Sequence, residues 1–189
     1  MKRTLVIMVK EPRPGRVKTR LGRDIGMVTA AWWFRHQSRR LIRRMQDPRW
    51  TVVLAVSPDN QGLTSRIWPK NVTRLPQGSG DLGQRMTRMM RAAPGPVCVV
   101  GADIPGIETH HIWRAFRLLG SNKAVFGPAP DGGYWLVGLK QPRHWPSGFL
   151  ENVRWSTEHA LADSVASLPN GYVAFADELA DVDTAADLP

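Results

Sequence analysis

The chain has one cysteine in 189 residues, Cys98, so it cannot form an internal disulfide. Cys98 lies in the apolar run PVCVV, which marks it as a buried core thiol and points to a reducing cytoplasm. No apolar stretch approaches the roughly 20 residues that a membrane helix needs, so no membrane span is expected. The opening MKRTLVIMVKEP combines a basic tip with a short apolar run. Charge returns at Lys10 and no small-residue cleavage site follows, so the segment reads as a strand and not as a signal peptide. Three chemical motifs are also missing: the GxxxxGK[ST] phosphate loop, the GxGxxG dinucleotide turn and the GxSxG nucleophile elbow. Ser156 and His159 therefore form no hydrolase triad. His110 and His111 have no partner spacing for zinc and are expected in the first turn of a helix. With no repeat, linker or low-complexity tract, residues 1–189 read as one domain.

Negative charge is scarce through most of the chain. Residues 1–150 hold 25 Lys and Arg against 8 Asp and Glu, a net +17, while residues 151–189 hold 1 against 8, a net −7. A basic body with an acidic end selects anionic ligands: nucleotides, nucleic acid or acidic lipid. Of the 26 cations, 20 are arginine, whose planar fork suits phosphate oxygens.

Short apolar runs rich in β-branched or aromatic residues predict strands at Thr4–Val9, Thr51–Val56, Val97–Val100, Ala124–Phe126, Trp135–Leu139 and Tyr172–Phe175. Apolar residues at helical spacing predict helices over Val28–Met45, Leu82–Ala92, Glu108–Leu119 and Thr157–Leu168, the last with Ser156 or Thr157 as N-cap. Arg35, Arg39, Arg40, Arg43 and Arg44 read as the solvated face of the first helix, and Trp32, Trp33, Trp50 and Trp113 as core. Residues 127–156, rich in Gly, Pro and Trp, read as loops and a hairpin at one edge. Strand alternating with helix predicts an α/β fold, three layers α/β/α with a mainly parallel central sheet. Ligands then sit beyond the carboxyl ends of the strands.

Three polar, glycine-bearing loops fall at such ends. KEPRPGRVKTRLG, after the first strand, holds five cations around Gly15, namely Lys10, Arg13, Arg16, Lys18 and Arg20. Its prolines and Gly15 deny it a helix and leave backbone N–H groups for an anion, with Lys18 and Arg20 reaching phosphate oxygens. In VVGADIPGI the lone carboxylate Asp103 emerges after four apolar residues, well placed for Mg²⁺ or Mn²⁺ beside phosphates, or else for an Asx turn or a helix cap. In GPAPDGGYWLVGL, Asp131 with Gly132 and Gly133 reads equally as an acceptor-binding turn or as a plain hairpin. In LPQGSGDLGQRM, Gly78 and Gly80 precede Asp81 and a helix carrying Arg85 and Arg88. That arrangement suits a nucleobase edge, ribose or phosphate, or an N-cap at Asp81. Near the end, Asp181 and Asp183 flank Val182, a spacing that turns both carboxylates the same way on extended chain. They read as a second metal carboxylate or, for Asp183, as the cap of a terminal helix.

Together VIMVKEPRPGRVKTRLG, QGSGDLGQRM, GADIPG, GPAPDGGYWLVGL, WST and DVDT resemble a family of bacterial glycosyltransferase-like proteins in the nucleotide-diphospho-sugar transferase superfamily. That family has the GT-A fold, which is Rossmann-like, and is similar to 2-phospho-L-lactate guanylyltransferase. The resemblance implies that Lys18 and Arg20 handle nucleotide phosphates and that Asp103 and Asp183 bind Mg²⁺ or Mn²⁺; the loop readings above add Lys10, Gly15, Gly78, Gly80 and Asp81 to the nucleotide side. The resemblance also implies that Asp131, Gly132, Gly133, Trp155 and Ser156 face the acceptor, with Asp131 joining Lys18 and Arg20 in catalysis. One departure stands out: Lys10-Glu11-Pro12 replaces the Gly-rich run that sugar nucleotidyltransferases carry after the first strand.

Two transfers fit one such site. An acceptor phosphate attacks the α-phosphorus of an NTP, or a nucleotide sugar gives its glycosyl group to a small acceptor. The five cations favour the first, because a triphosphate carries more charge than a diphosphate ester. A third reading, a basic nucleic-acid-binding protein, leaves the carboxylates and glycines of the same loops without a use.

Overall fold

The computed structural model describes residues 2–145, 148–169 and 171–188. The expected irregular region 127–156 includes Pro146 and Ser147, which lie outside the described residues. Along the chain run β1 (Thr4–Lys10), α1 (Thr19–Ile25), α2 (Met27–Arg44), β2 (Thr51–Ser57), α3 (Asp59–Thr64), β3 (Thr73–Pro76) and α4 (Leu82–Arg91). They are followed by β4 (Val97–Gly101), α5 (Thr109–Ser121), β5 (Ala124–Pro128), β6 (Tyr134–Leu139), α6 (Ala160–Ala166), β7 (Val173–Phe175) and a 3₁₀ turn at Ala185–Asp187. The strands form one sheet in the order β3-β2-β1-β4-β6-β5-β7. Only β6 runs against its neighbours, β4 and β5. The mainly parallel α/β sheet is the one expected.

Why these runs become central strands follows from burial on both faces. In β1, Leu5, Ile7 and Val9 enter one core with Phe34, Leu41 and Ile42 of α2 and Ile112, Phe116 and Leu119 of α5. Val6, between them, enters the opposite core with Met86, Met89 and Met90 of α4 and Phe149. Alternate residues of one strand thus feed two cores, which is why the run is apolar throughout instead of alternating. Cys98 is fully buried in the first core, and burial pushes its thiol pKa far up, so it is an inert packing residue as expected.

All six expected strands form, but three elements were not expected. The edge strand β3 is TRLP, polar and ending in Pro76, so it gives no apolar run to detect. The short helices α1 and α3 each contain a glycine and carry little apolar pattern. α6 starts at Ala160, later than Thr157, because Ser156 sits at φ 61° and Thr157 spends its hydroxyl on the Arg154 carbonyl. Trp50 is buried and Trp33 and Trp113 pack against the core, but Trp32 is 54% exposed, contrary to expectation.

His110 and His111 do open α5. The His111 Nδ1 accepts the Glu108 N–H at 3.0 Å, and the His111 N–H donates to the Glu108 carbonyl at 3.1 Å. Burial and the neighbouring His110 hold the His111 pKa below its usual 6.5, against the opposing pull of Asp177 and Glu108. The unfolded chain therefore takes up this proton more readily. Stability from the neutral ring is complete above the usual value and is lost as pH falls through the lower folded one. Between about pH 7.5 and about pH 5.5, urea unfolding should show a larger stability loss for wild type than for His111→Ala. Equal losses in the two proteins would remove His111 from the account.

Candidate active site

In the parallel part of the sheet β1 lies between β2 and β4, so the chain winds outward in both directions from it. The crevice at this switch point opens beyond the carboxyl ends of β1 and β4. Register places Met8 beside Gly101, so Lys10 and Asp103 leave the sheet at the same level. The loop after β1 then turns through Gly15 (φ 73°) and reaches Lys18. Lys18 is left-handed (φ 44°, ψ 51°) just before α1, a conformation that costs an ordinary side chain about 1–2 kcal/mol.

That backbone delivers the Lys18 ammonium into a nest of carboxylates. Its Nζ lies 2.5 Å from Asp103 Oδ2, 2.9 Å from Asp183 Oδ1 and 3.6 Å from Asp181 Oδ2, with the side chain only 8% exposed. Arg20 Nη1 reaches the other oxygen of Asp183 at 2.9 Å from a mostly exposed position. Burial works against the charge on Lys18, but Asp103 and Asp183 outweigh it and hold the pKa above its usual value. Burial also opposes ionisation of Asp183, yet Lys18 and Arg20 pull its pKa below the usual range. Asp181 goes the other way: burial first, then the negative charge of Asp103, raise its pKa despite Lys18, with Asp183 and Asp131 adding to the rise. Asp131 thus belongs to the electrostatic field of the cluster.

The Asp-Val-Asp spacing works as the sequence suggests. From β7 the chain crosses the end of the sheet. Ala176 N–H donates to Phe126 O (2.8 Å), Leu179 N–H to Pro128 O (3.1 Å) and Val182 N–H to Asp103 O (3.3 Å). Val182 is buried against Leu21 and Ala30, so the residues on either side of it face Lys18. The capping alternative for Asp183 fails. The terminal turn is capped by Thr184 and Asp187, whose carboxylate takes the backbone N–H groups of Asp183 and Thr184. Nor does Asp103 cap α5, a task that falls to Glu108.

Of the five cations in the basic loop, two are thus partnered by carboxylates of the chain itself, while Lys10, Arg13 and Arg16 are exposed. Among the described residues no three acidic, His or Cys side chains converge closely enough to enclose a metal ion, because the Lys18 ammonium stands between the carboxylates. The donor set is all oxygen: the carboxylates of Asp103, Asp181 and Asp183 surround the Lys18 ammonium, with Arg20 on the outer side of Asp183. Three carboxylates against two cations leave a net negative set of hard oxygen donors, which fits a divalent ion of the Mg²⁺ or Mn²⁺ type.

The QGSG loop borders the same end of the sheet. Buried Gln77, which the sequence reading missed, donates from Nε2 to Val9 O (3.2 Å) and Ala55 O (2.8 Å), tying the loop to β1 and β2. Asp81 is an N-cap, its side chain accepting the Gln84 N–H at 2.8 Å. Arg88 donates to the Gln77 and Ser79 carbonyls and Arg85 to the Gly80 carbonyl. These arginines therefore shape the loop from behind. Gly78 (φ 75°) and Gly80 (φ 105°) take backbone conformations that side chains rarely adopt.

On the other side, Asp131–Gly133 form the hairpin between β5 and β6, and Asp131 Oδ1 accepts the Gly133 N–H at 2.9 Å. A side chain on Gly132 would collide with the Glu158 backbone, and the Gly132 carbonyl accepts the Leu161 N–H at 3.0 Å. The hairpin and the segment after Ser156 are therefore packed together. Trp155 sits against Gly83 at the start of α4 and edge-on to Tyr134, while Ser156 is exposed.

Three comparisons extend this picture. The sequence profile of a family described as "Uncharacterized protein conserved in bacteria (DUF2064)" matches residues 41–157. No functionally curated protein matches the chain. Among solved structures, a candidate nucleotide-diphospho-sugar transferase from Desulfovibrio desulfuricans G20 superposes with a TM-score of 0.82 at 26% identity, over 97% of this chain and 84% of that one. 4-Diphosphocytidyl-2C-methyl-D-erythritol synthase from Anaerococcus prevotii DSM 20548 gives 0.61 at 10% identity, over 98% and 92%. The manganese complex of Rv0371c from Mycobacterium tuberculosis H37Rv gives 0.56 at 12% identity, over 99% and 96%. The fold is that of the nucleotide-diphospho-sugar transferases.

The two ion pairs of Asp183 set its contribution to stability. In metal-free buffer, Asp183→Asn should cost about 1–2 kcal/mol, below the cost of a fully buried pair because the aspartate is 39% exposed. Melting should fall by roughly 2–8 °C. Asp131→Asn, which keeps its turn hydrogen bond, should melt close to wild type. Calorimetry of both variants with a chelator present checks this, and an unchanged Asp183→Asn would break the assignment.

Proposed function

We propose that this chain, which belongs to the DUF2064 family of proteins conserved in bacteria, transfers a nucleotidyl group from an NTP to a phosphorylated small acceptor. The observation that carries the proposal is the Lys18 ammonium held among Asp103, Asp181 and Asp183 at the switch point of the sheet. Likeness to transferases of this fold supports the wider class, a nucleotide-using transferase.

Asp103 and Asp183, with Asp181 beside them, would hold Mg²⁺ or Mn²⁺. When bound, such an ion draws charge from phosphate oxygens and aligns them for in-line displacement. With such an ion sharing these carboxylates, the Lys18 ammonium would be available to the phosphates. With Arg20 it then neutralises the pyrophosphate that departs. An oxygen of the acceptor phosphate forms the new bond to the α-phosphorus as the bond to pyrophosphate breaks, and no covalent enzyme intermediate is needed. The QGSG loop, held by Gln77, lines the nucleotide side through the free backbone of Gly78 and Gly80. Asp131, with Gly132, Gly133 and Ser156 on the packed hairpin side, faces the acceptor.

Glycosyl transfer from a nucleotide sugar is the competing reading, favoured by the description of the Desulfovibrio structure. Thermal unfolding with a panel of NTPs and nucleotide sugars, each with and without Mg²⁺ or Mn²⁺, separates the two. A ligand at about 100 times its Kd stabilises by roughly 2.7 kcal/mol, or about 5–10 °C for a chain of this size. Stabilisation by an NTP that needs both metal and Asp103, and is lost in Asp103→Asn, is the expected result. A nucleotide sugar doing this instead favours glycosyl transfer. Lys18→Met should melt below wild type in metal-free buffer yet be stabilised more than wild type by Mn²⁺ alone. A smaller manganese response would show that Lys18 does not compete for the site.

A further inference from the structure

We infer that the exposed face of α2 docks the protein on an anionic lipid surface. Three of the six large hydrophobic residues exposed among the described residues fall within six positions at the start of this helix: Met27 (37%), Val28 (59%) and Trp32 (54%). Exposed apolar residues scattered singly need no explanation, but a cluster does. Trp32 is not hidden by its neighbours. His36 stacks on it at 5.5 Å and the Arg35 guanidinium lies 5.5 Å from its ring, so it stands as an aromatic post ringed by cationic and polar groups.

At 3.6 residues per turn, Val28, Trp32, Arg35, His36, Arg39 and Arg43 fall within an arc of about 100° along one side of the helix. Ala30, Ala31, Phe34, Ser38, Leu41 and Ile42 are buried on the opposite side. The outward stripe runs about 22 Å, from aliphatic and aromatic at its start to cationic at its end. α2 contains five arginines and no acidic residue. Arg44 is spent on the carbonyls of Pro105 and Ile107 and on Glu108, whereas Arg39, Arg40 and Arg43 have no hydrogen-bond or ion-pair partner among the described residues.

This is the layout of a helix lying in the interface plane: a tryptophan at headgroup depth, the aliphatic Val28 beside it and arginines against lipid phosphates. A nucleic acid would use the arginines and stack on Trp32, but it has no use for Val28 at the head of the same stripe. The face begins just after α1 and lies outside the carboxylate cluster. Docking therefore does not require the transfer proposed above, and the two fail separately.

Co-sedimentation with vesicles tests the inference. Wild type should partition onto phosphatidylcholine vesicles containing about 30% phosphatidylserine, lose binding as salt rises, and leave pure phosphatidylcholine unbound. Each arginine near the surface is worth about five-fold in partitioning, so Arg39→Gln/Arg43→Gln should lose roughly 25-fold. Trp32→Ala, which changes no charge, should lose at least about five-fold. Arg91→Gln/Arg117→Gln, on other helices, is the control for unspecific attraction and should lose much less. All variants should keep wild-type melting temperatures. Equal losses in the control pair and the α2 pair, or full binding by Trp32→Ala, would overturn the assignment. So would binding to duplex DNA that the α2 variants abolish while wild type ignores vesicles, which would make the face a nucleic-acid surface.

Discussion

A buried ammonium facing three carboxylates is the contact on which the rest of this structure depends. Lys18 is nearly removed from water, and several kcal/mol of desolvation must be offset by close charges. Asp103 and Asp183 supply them at 2.5 and 2.9 Å. The cluster joins parts of the chain more than 160 residues apart, because the carboxylates come from the end of β4 and from the segment after β7 while the lysine comes from the loop after β1. It also accounts for the left-handed backbone at Lys18, a local cost tolerated where surrounding structure fixes the side chain.

Neutrality is not reached, and that is the chemically informative part. Arg20 adds a second cation from the exposed side, but Asp181 adds a third carboxylate, whose pKa is raised first by burial and then by the charge of Asp103. A purely structural ion-pair network would tend to balance. An excess of negative charge at the switch point of an open sheet, where ligand crevices form, asks for an added cation. On the function proposed above, Lys18 is the internal counter-ion of a site that works with an external one.

Much of this was legible in the sequence, for definite reasons. Runs such as TLVIMV and PVCVV are apolar on both faces because helices cover both sides of the sheet, and that is readable without coordinates. The Asp-Val-Asp spacing worked because the segment is extended and Val182 is buried, which sends both aspartates to one side. Less legible was the partner of each charge. Pairing between Lys18 and Asp183 depends on how the chain returns across the sheet end, through hydrogen bonds to Phe126, Pro128 and Asp103 that no local pattern encodes. Gln77 was missed because a glutamine in a loop carries no signal until its amide is seen to bridge two strands. Trp32 misled for a related reason: tryptophan is usually buried, and the adjoining Trp33 and Phe34 turn inward from the same helix.

The division of charge between a basic body and an acidic end now has a physical sense. Three aspartates of the last segment answer cations of the body: Asp177 pairs with Arg114 at 2.6 Å, and Asp181 and Asp183 surround Lys18. The acidic end is held along the sheet by this pairing, and without it the site would lack most of its oxygen donors. Among the cations beyond its reach are two groups that gather together, the loop carrying Arg13 and Arg16 and the stripe on α2. The first opens beside the carboxylate cluster around Lys18. The second stands on a helix without a single carboxylate, next to an uncovered tryptophan. Internal pairing thus sorts the positive charge, and the two proposals made above both rest on groups of cations that it leaves over.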